Sequence, residues 1–345
     1  MKRSTFTATL GAALTFPAVI GIARAEELVT VGTSRSSSDV PFFIGEKLGF
    51  FAAEGITLKL EPFDSAAKMV APLGAGQLDV AAGAPSAGLY NAVTQGIELK
   101  IVADKGSTPR GYGYMALLVR TDLIKSGKFK SMKDLKGLKV AEPAQGTSTS
   151  SSLAQAIKNT GFGYSDINHI YLGFPQHVPA FESGSIDASL TTEPSATLAV
   201  RSGAAVRFAG DDAFYPNQQL AVLLYGGNFI TKRHDIGVKF MIAYIKAVRF
   251  YNDALNNGHL TGKNGPAVLD ILTEYTPVKD RKIYEEAVPQ GNDPDGRVNV
   301  ASLKTDLAFF KAQGLVTGDI SVDAVRDSSF VDAAIKQIGT YRKGK

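Results

Sequence analysis

Residues 63–87 read FDSAAKMVAPLGAGQLDVAAGAPSA, and residues 174–196 read FPQHVPAFESGSIDASLTTEPSA. One pattern is written twice: a small residue, glycine, any residue, Leu or Ile, and Asp, then a short run of small residues, then Pro-Ser-Ala. Gly76 and Gly184 stand where a helix should end, because a left-handed backbone is cheap only for glycine. Leu78 and Ile186 then plug a core, while Asp79 and Asp187 lead into strands expected at Val80 to Ala82 and Ala188 to Leu190. Each strand enters a tight turn and a new helix with proline near its first turn, at Pro85 and Pro194. The second helix of each unit directs its free N–H groups beyond the strand's carboxyl end.

Two long copies, rather than three or more short ones, point to two similar α/β lobes and not to a solenoid. Ligands of open α/β sheets sit outside the carboxyl ends of the strands, so two such lobes facing each other make one cleft. Working outward, Leu28 to Thr33 alternates as a first strand, followed by the loop Ser34 to Asp39 and a helix from Pro41 to Leu48. Strands follow at Ile56 to Glu61 and Leu99 to Ala103, and Tyr112 to Val119 is an apolar run fit to cross between lobes. Leu138 to Ala141 reads as a strand feeding the turn Gly146 to Ser150 and a helix from Ser151 to Thr160. Leu220 to Tyr225 is the return crossing, and helical periodicity then covers Asp235 to Leu255, Ala267 to Tyr275 and Ser302 to Gln313. The expected division is residues 26–115 with 223–345 in one lobe and 116–222 in the other, two crossings making the hinge.

At 345 residues with 44% hydrophobic content the chain can bury two cores. Lys2 and Arg3 precede an apolar stretch from about Ala8 to Ile22 that ends in Ala23-Arg24-Ala25, the pattern of a cleaved export signal over residues 1–25. Those three cations account for most of the net charge of +4, so nothing argues for nucleic acid. There is no cysteine, which removes disulfides, thiolate metal sites, cysteine nucleophiles and a lipid anchor at the cleavage site. An exported protein diffusing freely is useful behind an outer membrane, which places it in the periplasm. The four histidines show no paired metal spacing, no Gly-x-Ser-x-Gly elbow or nucleotide loop appears, and neither an enzyme nor a metal or other cofactor is expected.

The segments PFFIGEKLGFFAAEGITLKLEPFDS, GAGQLDVAAGAPSAGLYNAVTQGIELKIVA, SMKDLKGLKVAEPAQGTSTSSSLAQAI, SGSIDASLTTEP and DGRVNVASLKTDLAFFKAQGLV resemble the periplasmic binding proteins of ABC importers for nitrate, sulfonates, taurine and thiamine-pyrimidine precursors. The resemblance spans nearly the whole chain after residue 25. It implies an α/β, two-lobed periplasmic-binding-protein fold (type II-like), two Rossmann-like lobes on a two-strand hinge, closing on a small solute. It also implies a monomer that delivers the solute to an inner-membrane permease with its cytoplasmic ATPase. Same-fold alternatives are a sensory ligand-binding protein and enzymes of thiamine-pyrimidine or menaquinone-precursor chemistry, the pyrimidine synthases needing a cysteine-rich segment that is missing here.

The candidate ligand residues follow from the cleft. Thr147, Ser148 and Thr149 sit where a strand end meets a helix N-terminus, a place that welcomes an anion or serves as a plain helix cap. Pro85 and Ser86 form the equivalent turn in the first lobe. Ser37, Asp39 and Phe42 follow the first strand and Ser65 the second, Asp39 being equally suited to capping and Phe42 to the core. Glu193 would repel a bare anion and pair with an amine, and Thr192 stands where some relatives carry an aromatic residue. Tyr90, Tyr112, Tyr114 and Tyr215 are candidate aromatic walls.

Overall fold

The computed structural model describes residues 26–343; the export signal expected at 1–25 lies outside the described residues. Ten strands form two five-stranded sheets. The first holds β1 (Glu27–Thr33), β2 (Ile56–Pro62), β3 (Val80–Gly83), β4 (Leu99–Ser107) and β10 (Gln219–Gly226), and the second holds β5 (Met115–Arg120), β6 (Lys139–Glu142), β7 (Asn168–Tyr171), β8 (Ala188–Thr192) and β9 (Ala205–Gly210). Their orders are β2-β1-β3-β10-β4 and β7-β6-β8-β5-β9. These are the same order once β6, β7, β8, β5 and β9 are matched to β1, β2, β3, β10 and β4. In each sheet the inserted strand, β10 or β5, runs antiparallel to both neighbours.

Each lobe thus receives its fourth-position strand from a crossing. The chain leaves the first sheet after β4, enters the second at β5, and returns after β9 into β10, so the crossings are residues 108–114 and 211–218. The two run side by side: Thr108 N–H donates to the Gln218 carbonyl at 3.2 Å and Asn217 N–H to the Thr108 carbonyl at 2.8 Å. The lobe boundary drawn at 222/223 falls inside β10, all of whose pairing is with the first sheet.

β10 is apolar without alternation because both its faces are covered. Leu223 and Tyr225 join a cluster with Phe42, Phe240 and Tyr244, while Val222 and Leu224 join Leu73, Leu78, Leu89 and Phe310 on the other side. β5 does the same in the second lobe, with Leu117 and Val119 on one face and Ala116 and Leu118 on the other.

The repeated segment is repeated in its bonding as well. Gly76 and Gly184 have φ of 72° and 69°, and Leu78 and Ile186 are buried. Asp79 exchanges bonds with Thr30: its N–H donates to the Thr30 carbonyl, and its carboxylate accepts from the Thr30 N–H, both at 3.0 Å. Asp187 makes the same pair with Lys139, at 2.8 and 3.0 Å. Each aspartate is also held by an arginine, Arg233 at 2.9 Å and Arg120 at 3.0 Å. These carboxylates therefore lock a strand to its parallel neighbour and are scaffold in both lobes.

Element boundaries differ from expectation at β4, which runs past Ala103 to Ser107, at β5, which starts at Met115 and not Tyr112, and at one helix, which spans Ser148–Ile157 instead of starting at Ser151. Five consecutive residues, Ser148 to Ser152, are buried in it. Serine is a weak helix former when it bonds locally, but here hydroxyls reach distant acceptors: Ser148 donates to the Leu220 carbonyl at 2.7 Å and Ser152 to Gln218 Oε1 at 2.5 Å.

Candidate functional site: the inter-lobe cleft

The carboxyl ends of β1, β2 and β3 face those of β6, β7 and β8, and the loops that follow them meet. Ser37 N–H donates to the Glu193 carbonyl at 2.8 Å, Ala87 N–H to the Gly146 carbonyl at 2.8 Å, and Ser148 N–H to the Pro85 carbonyl at 3.0 Å. Ser86 and Thr147 thereby form a bridge between the lobes. Farther out, Arg201 pairs with Asp280 at 3.1 Å. The Pro85–Ser86 turn after β3 thus faces the Gly146–Ser148 turn after β6, and the lobes are in contact. The expected equivalence of these two turns is corrected, since the strand orders match β8 to β3 and make Pro194–Ser195 the counterpart of Pro85–Ser86.

Beside these contacts opens a cavity of about 990 Å³. The first lobe contributes the loop Thr33, Arg35, Ser36, Ser37 and Asp39, then Phe43, Leu60 and Pro62, and a C-terminal wall between Leu272 and Tyr284. The second contributes one face of the helix Phe174–Glu182 and residues between Pro194 and Ser202. Phe43 stacks on Tyr275 with centroids 5.7 Å apart and planes at 25°. Burial pushes the Tyr284 phenol up, and its hydroxyl is engaged with Thr276.

Of the sequence-derived candidates, Ser37 and Asp39 line this cavity. The Asp39 carboxylate is anchored rather than free: Lys105, fully buried, reaches it at 2.8 Å and also donates to the Ser38 hydroxyl at 2.7 Å. A second carboxylate oxygen accepts from the Ser36 N–H at 3.1 Å, so Asp39 shapes the loop. Phe42 is corrected to the core, where it packs on Tyr244 at 5.6 Å. Successive helical residues point about 100° apart, so seating Phe42 inward turns Phe43 to the cavity.

Pro85, Ser86, Thr147 and Ser148 form the contact between the corners. The Ser86 hydroxyl caps its helix through the Leu89 N–H at 3.3 Å, and the Thr147 hydroxyl donates to the Ala144 carbonyl at 3.3 Å. The first N–H groups of both helices bond the opposite lobe, so helix-end donors hold the lobes together. Thr149 is buried in the first turn. Ser65 and Thr192 are buried at the ends of β2 and β8, their hydroxyls without a partner among the described residues.

Glu193 has a fully buried side chain and a complete set of donors. One oxygen accepts from Thr197, from its N–H at 2.9 Å and its hydroxyl at 2.8 Å. The other accepts from Arg207 at 2.6 Å and from the Val288 N–H, across the lobes, at 3.4 Å. This carboxylate is a strut of the second lobe that also touches the first, and no face of it is left for a ligand amine. The four tyrosines expected as walls do not line the cavity, and Tyr90, Tyr114 and Tyr215 are buried.

Sequence reasoning missed Arg35, Lys105, Arg207, Tyr275 and the proline-rich wall. The legible signal for Arg35 was a single cation in a serine loop, and for Tyr275 a position on the apolar side of a recognised helix. Lys105 and Arg207 gave no signal, since their roles depend on pairing with residues distant in the chain.

The model of the NMT1-like family matches residues 23–261. No curated protein sequence matches the chain. Among solved structures, the ligand-binding component of an ABC-type import system from Staphylococcus aureus with zinc bound superposes with a TM-score of 0.73 at 15% identity, covering 90% of this chain and 99% of its own. The periplasmic nitrate-binding protein NrtA from Synechocystis gives 0.74 at 14% identity, with 91% and 89% covered. The desulfurization enzyme DSZB gives 0.61 at 14% identity, with 91% and 100% covered. The fold is therefore the two-lobed periplasmic-binding-protein fold, which carries both binding proteins and at least one enzyme.

Proposed function

For a chain that belongs to the NMT1-like family, we propose the role of exported solute-binding component of an ABC importer, closing its lobes on one small molecule and presenting it to a membrane permease. The observation that carries this reading is the cavity of about 990 Å³ walled by both lobes at the carboxyl ends of their strands. A site shared between two hinged bodies couples occupancy to closure, because the ligand binds the closed form better than the open one. The two crossings, bonded to each other beside the lobes, supply the hinge. The lobe division at those crossings, the cleaved signal, the periplasmic location and the monomeric state belong to the same proposal.

Two neighbours' ligands fit poorly. Among the described residues no group of three His, Cys, Asp or Glu side chains could hold a metal ion, which disfavours zinc. Nitrate is comparable to one or two waters at about 30 Å³ each and would leave most of the cavity unfilled. A carboxylate pair for acid–base catalysis is disfavoured because two of the wall's three carboxylates, Asp39 and Asp280, are engaged by Lys105 and Arg201, which leaves Glu182 alone. Thermal unfolding against a panel of small organic solutes tests the reading, since a ligand at a hundred times its Kd adds about 2.7 kcal/mol of stability. Small-angle scattering with and without the hit should show compaction. A panel with no stabilising solute, and a chain whose dimensions never change, would refute it.

A further inference from the structure

The cavity wall is unlike a site built for a small, strongly hydrated ion. Five prolines line it, Pro62, Pro175, Pro179, Pro194 and Pro277, and proline offers no backbone N–H. The remaining wall mixes hydroxyl residues, Ser37, Ser195, Ser202 and Thr276 among them, with an aliphatic and aromatic part: the stacked pair Phe43 and Tyr275 on one side and Val178 and Leu198 of the second lobe on the other. A ligand there gains by burying apolar surface, and among the described residues the wall offers a cation without a protein partner at one place.

That place is Arg35. Its backbone is left-handed at φ 56°, a conformation uncommon outside glycine, asparagine and aspartate and concentrated at ligand sites. Its guanidinium makes no hydrogen bond or ion pair among the described residues. Asp64, whose carboxyl is held below the usual range first by Lys68 and more weakly by Arg35, is paired with Lys68 at 2.7 Å. The cavity's other cation, Arg201, is engaged by Asp280 and by Glu286 at 3.7 Å. Glu182, the last residue of its helix, is exposed and also lines the cavity; a second negative charge on the ligand would meet its repulsion.

We propose that the solute is an amphipathic organic monoanion, with an aromatic or alicyclic body against the apolar walls of both lobes and a single carboxylate or sulfonate on Arg35. The inference rests on the reading of this cleft as the solute site. The first helical N–H of each corner, Ala87 and Ser148, is already bonded across the lobes, so the charge of the ligand is met by a side chain.

Calorimetry on the full chain with 2-naphthoate, the neutral 2-naphthylmethanol, taurine and nitrate tests it. The expected order is naphthoate tightest, the neutral analogue about tenfold or more weaker, and no measurable heat from nitrate or taurine. Arg35→Gln should weaken naphthoate about tenfold or more, the loss of a charged hydrogen bond, and leave the neutral analogue unchanged. Leu198→Gln should weaken both, with an unaltered melting temperature of the free protein showing that the variant folds. Equal naphthoate affinity in Arg35→Gln would overturn the assignment of the acid group. Binding of taurine or nitrate without naphthoate would overturn the ligand class and keep the importer reading. Absence of binding by these probes, with no solute stabilising the chain in a wider panel, would overturn both.

Discussion

Replacing Glu193 with glutamine separates a structural carboxylate from a ligand-binding one. The substitution keeps the volume and the oxygen that accepts from Thr197, but turns the other oxygen, which faces Arg207 at 2.6 Å and the Val288 N–H at 3.4 Å, into a donor. Two donors then meet in a buried place and the guanidinium loses its counter-charge. Breaking a buried pair costs about 3–5 kcal/mol. The low end applies, about 3 kcal/mol, because Arg207 keeps 25% of its side chain in contact with water while Glu193 keeps none. Urea unfolding followed by far-ultraviolet circular dichroism suits a chain without tryptophan, and the expected result is a lower midpoint at unchanged slope. Glu193→Gln with Arg207→Met should recover much of the loss, since removing both partners leaves no uncompensated charge. A midpoint within about 0.5 kcal/mol of the parent, with affinity lost only for amine-bearing solutes, would refute the reasoning and return Glu193 to the ligand.

Three further outcomes follow from the same geometry. Lys105→Met strands the buried Asp39 carboxylate and should destabilise by about 3–5 kcal/mol, read from the urea midpoint; a change below about 1 kcal/mol would show that the pair does not anchor the cleft loop. His177 is buried, with Nδ1 on the Thr191 hydroxyl at 2.7 Å and Nε2 on the Leu172 carbonyl at 2.9 Å, and burial pulls its pKa down to about 4. The folded state therefore binds fewer protons than the unfolded one between pH 6.5 and 4, so stability falls by about 3 kcal/mol as the pH drops through that window; His177→Gln should flatten this part of the profile. Ala87→Pro removes the N–H that bonds Gly146 in the other lobe, at a first helical position where proline is tolerated. Solute affinity should fall about two- to tenfold with the melting temperature of the free chain preserved; unchanged affinity would show that this bond does not stabilise closure.

The repeat carried the fold because each of its signals is local. A glycine that must take positive φ, an apolar plug two residues later and an aspartate at the strand entrance act within about six residues, and the sequence displays them in order. The apolar runs at 112–119 and 220–225 were equally plain, since strands buried on both faces, as β5 and β10 are, cannot alternate. The serine-bearing corners were found for the same reason.

What the chain order could not show is which groups remain free once the lobes meet. Glu193, Asp39, Ser86 and Thr147 have the right chemistry for binding, but Glu193 and Asp39 are engaged by Arg207 and Lys105, and the Ser86 and Thr147 hydroxyls by the backbone of their own turns. Phe43 faces the cavity because Phe42 takes the core, and Arg35 is left to it because Asp39, Asp64 and Asp280 already have other partners. Local sequence thus determined two α/β lobes with facing strand ends; the packing of those lobes alone decided which side chains line the space between them, because satisfaction of a charge or a hydrogen bond is a property of the whole folded surface and not of any segment.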